Sequence, residues 1–508
     1  KNRKEILTNR EFPSCFSIEL ELCPELFGFR NYDLRISRIV GVTVILLTAI
    51  CGYGFFNAQK KDTLSYKVAH AMGNNPLYLN PEIAVETNGP IVNFFNNMNI
   101  QVMDKPDRYS KATMAKLVAR YTKISRDENK TRTGKKQKVV FILSESFSDP
   151  TKVPGIRLNH DPIPYTRNVI RNGVGGNMIS DGYGGGTANM EYQALTGLSL
   201  GNFSATLPTP YTQLVVHQTK TFSINNLFSR SMAIHPYEGT LYSRKAVFKK
   251  MQFNEFNYLK HGYTKPYIKT IDKNPYVSDR AVYKNLINTL KSNKNSDFIQ
   301  LSTMQNHMPY SNYYKNNRFK VTGNISAKEK AMIETYAQGI NYTDSDNRYL
   351  LKQLKKMKQN ITVVFYGDHL PSIYNHVNLE KYGVAMHETP YFIWSNHLSL
   401  RKTAYQSMIG TYSFANEMQQ VTNTQTTPYY ALLKEVTEKL PIIASKVSTT
   451  SADPNLPSGG MNLINRENGA FTSVSKLTTK QKQLLKDYQL VQYDFTAGKH
   501  YALSRMTR

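Results

Sequence analysis

Four short segments carry side chains suited to chemistry on a phosphate, and each comes after an apolar run. Ser144-Glu145-Ser146 follows 139–143. Asp181-Gly182-Tyr183-Gly184-Gly185-Gly186-Thr187 follows 174–179. Asn306-His307 follows 298–301, and Gly367-Asp368-His369 follows 361–366. The three consecutive glycines let the backbone turn sharply before a run of helix formers, 188–195. Thr187 then opens a helix, where free N–H groups and the positive end of the dipole favour an anion, so its hydroxyl is well seated to attack phosphorus. The same pattern also fits a plain N-cap threonine in a glycine-rich turn.

A carboxylate at Glu145, a hydroxyl at Thr187 and the adjacent pair Asp368 and His369 form a plausible divalent-cation set. Hard oxygens with one imidazole suit manganese, magnesium or zinc. Such an ion lowers the pKa of a coordinated hydroxyl and offsets charge on a phosphoryl oxygen. Singly, Glu145 or Asp368 is more often a loop or capping residue than a ligand; their joint occurrence after apolar runs is the signal.

The elements that must position these groups are strands. The run 139–143 is continuously apolar, as in a strand covered on both faces. Shorter or more mixed runs recur at 174–179, 298–301, 361–366 and 391–394, with helical patterns at 279–290 and 327–357 among them. Strands alternating with helices predict an α/β domain with a mainly parallel central sheet flanked by helices. Ligands bind beyond the carboxyl ends of such strands, where all four segments lie.

Upstream, 39–56 is uncharged and apolar and, extended to 59, has the length that crosses a bilayer. Arg30, Arg35 and Arg38 on its first flank place that end in the cytoplasm, against Lys60 and Lys61 on the other. Gly41, Gly52 and Gly54 dilute the run and leave a buried core helix as the alternative. The expected organisation is a cytoplasmic or juxtamembrane segment 1–38, a transmembrane helix 39–59 and an extracytoplasmic tether 60–137 with short helical pieces. A catalytic domain 138–445 follows, and a C-terminal subdomain 446–508 completes it. With Lys1 rather than Met first, more membrane helices are expected upstream. The 508-residue chain carries a formal net charge of +27, which suits anionic lipid or an anionic polymer. No nucleic-acid module accompanies that charge. Cys15, Cys23 and Cys51 are the only cysteines, so the later chain cannot form a disulfide.

Ser144-Glu145-Ser146-Phe147, the glycine turn ending at Thr187, Asn306-His307-Met308-Pro309-Tyr310 and Tyr366-Gly367-Asp368-His369-Leu370-Pro371 together resemble the signature segments of the lipoteichoic acid synthase family. These are glycerophosphate transferases within the alkaline phosphatase and sulfatase superfamily, and the resemblance covers about 138–440. It implies that Glu145, Thr187, Asp368 and His369 bind the metal, with manganese foremost, and that Thr187 is the nucleophile. It further implies that His307 acts at the substrate phosphate, Arg244 holds phosphate, and Tyr242 and His235 line the pocket. Tyr242 stands where a tryptophan is familiar. Thr187 is neither Cys nor followed by Pro-x-Arg, which argues against a formylglycine sulfatase.

The implied donor is phosphatidylglycerol and the implied acceptor a glycolipid or growing polymer at the cell membrane. A surface polysaccharide as acceptor, simple hydrolysis, and a wall-polymer-binding protein on an inactive scaffold are the alternatives. Among the other polar residues, Asp344 and Asp346 are expected on a solvated helix face or as caps. His387 is placed to line the cleft, and Tyr192, Tyr336 and Tyr342 to pack or face solvent.

Overall fold

A computed structural model describes residues 34–58, 63–74, 81–98, 100–204, 206–292, 296–445 and 461–508. The juxtamembrane segment before residue 34, Lys60 and Lys61, and the loop 446–460 lie outside the described residues.

The strands in chain order are β1 (Lys138–Ser144), β2 (Ile156–Leu158), β3 (Val174–Ile179), β4 (Ser231–His235), β5 (Glu255–Leu259), β6 (Gly262–Tyr263) and β7 (Phe298–Ser302). They continue with β8 (Val321–Gly323), β9 (Ile361–Gly367), β10 (Glu388–Ser395), β11 (Met408–Gly410), β12 (Ile442–Ser445), β13 (Met461–Ile464) and β14 (Phe471–Thr472). Nine of them form one sheet in the order β11-β3-β10-β9-β1-β7-β4-β5-β6. β2 pairs with β8, and β12–β14 form a small second sheet.

The sheet is mixed rather than simply parallel. β10 runs antiparallel to both its neighbours, β3 and β9, while the other pairs in the sheet are parallel. An apolar run does not report strand direction, because a strand covered on both faces looks the same either way.

β1 shows why its run is unbroken. Val139, Phe141 and Leu143 face one core and Val140 and Ile142 the other, and all five are buried. The long helix Ala327–Leu354 covers the second face through Ile333, Tyr336 and Ile340. Helices Thr187–Thr196, Pro428–Lys439 and Thr479–Thr496 contribute to the first.

Register brings the strand ends level. Leu143 pairs with Ser302 of β7 and with Tyr366 of β9, and Ser144 with Gly367. The residues just beyond, Glu145 and Asp368, therefore emerge side by side. Gly367 is tightly placed: a Cβ there would lie 1.7 Å from the Phe147 carbonyl oxygen. Gly367→Ala is expected to cost at least ~3 kcal/mol by overpacking against backbone, read as a lower denaturation midpoint, and to shift Asp368.

The segment expected to be a tether ends in a helix packed onto the body. In Lys111–Asn129, Met114, Leu117, Val118 and Tyr121 are buried in the first core. Arg120 pairs with Glu435 at 3.5 Å and Asp487 at 3.0 Å. Short helical periodicity does not say whether the apolar stripe finds a partner.

The apolar run 39–56 lies within a 24-residue helix, Leu34–Asn57. Ile39, Ile45, Ile50 and Tyr53 on it are 65–72% exposed. Among the described residues no helix is long and apolar enough to cross a membrane; the side chains described on this one run from 38 to 54, with Phe56 and Asn57 beyond.

Asp344 and Asp346 are buried rather than solvated. Asp344 accepts from the backbone N–H of Tyr165 and Thr166 at the start of helix Pro164–Asn172, and Asp346 pairs with Arg280 at 2.5 Å. Tyr192 and Tyr336 are buried packing residues.

Candidate active site

Thr187 is the first residue of helix Thr187–Thr196, and Gly186 is its N-cap. Gly186 has φ +99°, the left-handed region that suits glycine. The threonine hydroxyl is thus not used as a cap. It donates toward Glu145 Oε2 at 3.3 Å and lies 3.4 Å from His369 Nε2. Two loops hold this arrangement together through the Leu370 carbonyl, which accepts from Gly184 N–H at 2.7 Å and lies 3.0 Å from His369 Nδ1. With Nδ1–H donating there, His369 Nε2 presents its lone pair to Thr187.

Glu145, Asp368 and His369 are buried, and each offers a ligand atom within 4.8 Å of the others. His369 Nε2 lies 3.4 Å from Asp368 Oδ2 and 3.9 Å from Glu145 Oε1. Asp368 Oδ1 accepts from Ser146 N–H at 2.6 Å and His369 N–H at 2.8 Å, which fixes the carboxylate plane. Asp368 Oδ2 is buried with no hydrogen-bond partner. Burial and the neighbouring Asp368 charge push the Glu145 carboxyl well above its ordinary range. Two buried carboxylates, one orphaned oxygen and an imidazole lone pair converging on a hydroxyl fit a divalent cation, which would satisfy every one of them.

A second group sits on the same helix. Glu191, one turn after Thr187, accepts from Arg244 Nε at 2.9 Å. Arg244 is buried, although by its local sequence it reads as a solvated charge; the carboxylate of Glu191 is what lets a guanidinium stay there. Tyr242 and Ser243, with φ +55° and +56°, form a left-handed step that delivers Arg244. The Tyr242 ring lies 5.3 Å from the guanidinium carbon. His235 Nδ1 is 3.0 Å from the Ser302 carbonyl and its Nε2 is 3.4 Å from Arg244 Nη1. Burial and the Arg244 charge hold His235 well below its ordinary pKa, in the neutral form.

His307 occupies a third position. It is half-buried, with Nδ1 2.7 Å from the Met308 carbonyl and 3.0 Å from Tyr276 Oη. An Nδ1–H donated to that carbonyl leaves Nε2 available. His387 is buried against the Tyr183 ring, with burial holding its pKa down to about 4.

Glu191, Ser302 and Tyr276 escape a reading of the sequence. The four-residue spacing from Thr187 to Glu191 puts both on one helix face and is a signal that could have found the first. Nothing local marks Tyr276, which reaches His307 across 31 residues.

The family model described as Sulfatase matches residues 137–423. Among solved structures, the Streptococcus pyogenes phosphoglycerol transferase GacH in complex with sn-glycerol-1-phosphate is 32% identical. It covers 80% of this chain and 98% of that chain, with a TM-score of 0.69. The lipoteichoic acid synthase LtaP from Listeria monocytogenes is 14% identical, covering 76% of this chain and 97% of that one, with a TM-score of 0.45. A Rhizobium meliloti (strain 1021) protein named for cyclic beta-1,2-glucan modification is 30% identical over 395 residues, 73% of this chain. The chain spans 56% of that relative's length.

Proposed function

The chain belongs to the sulfatase family, and from that premise we propose that it is a membrane-anchored, metal-dependent glycerophosphate transferase drawing on phosphatidylglycerol. The observation that carries this reading is the Thr187 hydroxyl, first in its helix and facing Glu145 and His369 at 3.3 and 3.4 Å. Its likeness in fold and sequence to a phosphoglycerol transferase supports the group transferred.

Glu145, Thr187, Asp368 and His369 would hold the cation, with manganese favoured by the oxygen-rich set. When bound, that ion supplies a lowered hydroxyl pKa and offsets negative charge on the phosphoryl oxygens. Thr187 Oγ1 releases its proton to solvent and attacks phosphorus as the bond to the diacylglycerol oxygen breaks, and it regains a proton from solvent when the acceptor displaces it. His307, entering with both ring nitrogens protonated, gives the diacylglycerol oxygen a proton from Nε2 and takes one back there from the acceptor hydroxyl in the second half-reaction. The acceptor oxygen then replaces Thr187 at phosphorus, in a ping-pong route through a glycerophospho-threonine. Arg244 and the helix N-terminus steady the charge on the non-bridging oxygens.

For the acceptor, a polyglycerophosphate chain built on a glycolipid is one reading. A surface polysaccharide is the other, favoured by the name of the 30% identical relative. Apolar side chains exposed along helix Leu34–Asn57 support membrane anchoring, and the arginines that flank the apolar run are the reason for placing the catalytic domain outside the cytoplasm.

The test is to incubate the full chain with Mn²⁺ and phosphatidylglycerol vesicles, with and without a glycolipid or polysaccharide. The expected result is diacylglycerol release with glycerophosphate on the added acceptor. Free glycerophosphate in equal amount, whatever acceptor is present, marks a hydrolase. No lipid consumption by folded, metal-loaded protein contradicts the donor.

A further inference from the structure

Arg244 is held in a closed ring of buried groups. Its Nε–H goes to Glu191 Oε2 at 2.9 Å and its Nη1 lies 3.4 Å from His235 Nε2. Ser302, the last residue of β7, joins the two partners. Its hydroxyl donates to Glu191 Oε1, and its carbonyl lies 3.0 Å from His235 Nδ1. Gln300 Nε2 adds a contact to Glu191 Oε1 at 3.2 Å. Arg244 and Glu191 have side-chain exposures of 1% and 0%.

A buried ion pair is weak evidence for stability, because desolvation offsets most of the attraction. What the ring does achieve is geometric. Both oxygens of Glu191 are engaged, so the carboxylate cannot swing. Neutral His235 can only accept from the arginine on the second side. Of the five guanidinium N–H groups, two are committed to these partners and three remain. Glu191 belongs to the helix that Thr187 begins, and residues four apart share a face. The arginine is therefore tied to the body that carries the nucleophile, although it arrives from a different loop.

We propose that Glu191 is a positioning residue: through its buried contact with Arg244 it registers the guanidinium against Thr187 Oγ1, so that both address one phosphoryl group. The proposal rests on the phosphoryl-transfer reading above. It differs from a packing role in one respect: Glu191 acts on the ligand only through Arg244.

The test is a double-mutant cycle on the full chain, with sn-glycerol-1-phosphate and Mn²⁺ as the probe and affinity measured by calorimetry. Glu191→Gln keeps the shape and removes the charge. Arg244→Met keeps the stem and removes the guanidinium. Each is expected to weaken affinity ~10- to 100-fold, the range for a hydrogen bond to a charged group. The double variant is expected to bind no more weakly than Arg244→Met alone.

Losses that multiply in the double variant overturn the proposal. So does unchanged affinity in Glu191→Gln, or a parent protein that does not bind the probe. If Glu191→Gln fails to fold, Ser302→Ala takes its place in the cycle. It spares the ion pair and removes the Ser302 hydroxyl from Glu191 Oε1, leaving that oxygen to Gln300 Nε2 at 3.2 Å, with an expected ~3- to 10-fold weakening in the parent and none beside Arg244→Met. The expected pattern without phosphatidylglycerol consumption would leave the positioning role standing and remove only the proposed donor.

Discussion

Replacing Thr187 with alanine is expected to lower phosphoglycerol transfer by ~10⁴-fold or more, the scale seen when a covalent nucleophile is removed. The argument is positional. Among the described residues, Thr187 Oγ1 is the hydroxyl placed between Glu145 Oε2 and His369 Nε2, and its helix starts there. The hydroxyl caps no backbone group, so its loss leaves the helix start intact. Stability is accordingly expected to stay within ~1 kcal/mol of the parent, as for changes that open no large cavity. Thr187→Ser, which keeps the oxygen and loses only a methyl, is expected to retain part of the rate. Steady-state kinetics beside thermal denaturation of the three proteins checks both halves. A large fall in rate with an equally large fall in stability would point to structural damage instead.

Asp368→Asn is expected to weaken divalent-ion affinity by more than ~100-fold, beyond what removing an outer partner of a ligand costs. An amide oxygen can still accept from Ser146 N–H and His369 N–H, so the loop should hold its shape. The amide nitrogen would then stand where Asp368 Oδ2, buried and unpartnered, now points its lone pairs. It would turn donors toward the place a cation needs acceptors. The parent should gain stability on adding Mn²⁺, about 2.7 kcal/mol at a hundred times the dissociation constant. The variant should show no such gain. Without metal the variant should be no less stable than the parent, since a carboxylate that repels Glu145 has gone. Equilibrium dialysis with metal analysis, beside thermal scans with and without Mn²⁺, measures these effects.

The parts of the site that can be read from the sequence are those set by strand ends. Glu145, Asp368 and His369 each follow an apolar run at once, and parallel register does the rest by bringing Ser144 and Gly367 level. Thr187 is readable only beside the other three segments, since a glycine turn before a helix also fits a plain N-cap. Arg244 is different. Its local sequence describes a surface charge, and only Glu191, 53 residues away, explains its burial. The antiparallel course of β10 is likewise silent in its residues, since its apolar core reads the same in either direction. Asp344 looks like a solvated helix residue until the helix Pro164–Asn172 is packed against it. Pairings across the chain, unlike periodicities within it, leave little mark on the residues nearby.

The central claim is a covalent glycerophosphoryl group on Thr187, and intact mass tests it most directly. The full chain is incubated with phosphatidylglycerol and Mn²⁺, without acceptor, beside Thr187→Ala, and each is weighed and then digested. The account predicts a gain of one glycerophosphoryl group on the parent, located on the peptide containing Thr187, and none on the variant. A gain that persists in Thr187→Ala, or lies on another residue, would contradict the nucleophile. A folded, metal-loaded parent that neither gains mass nor consumes the lipid would contradict the donor.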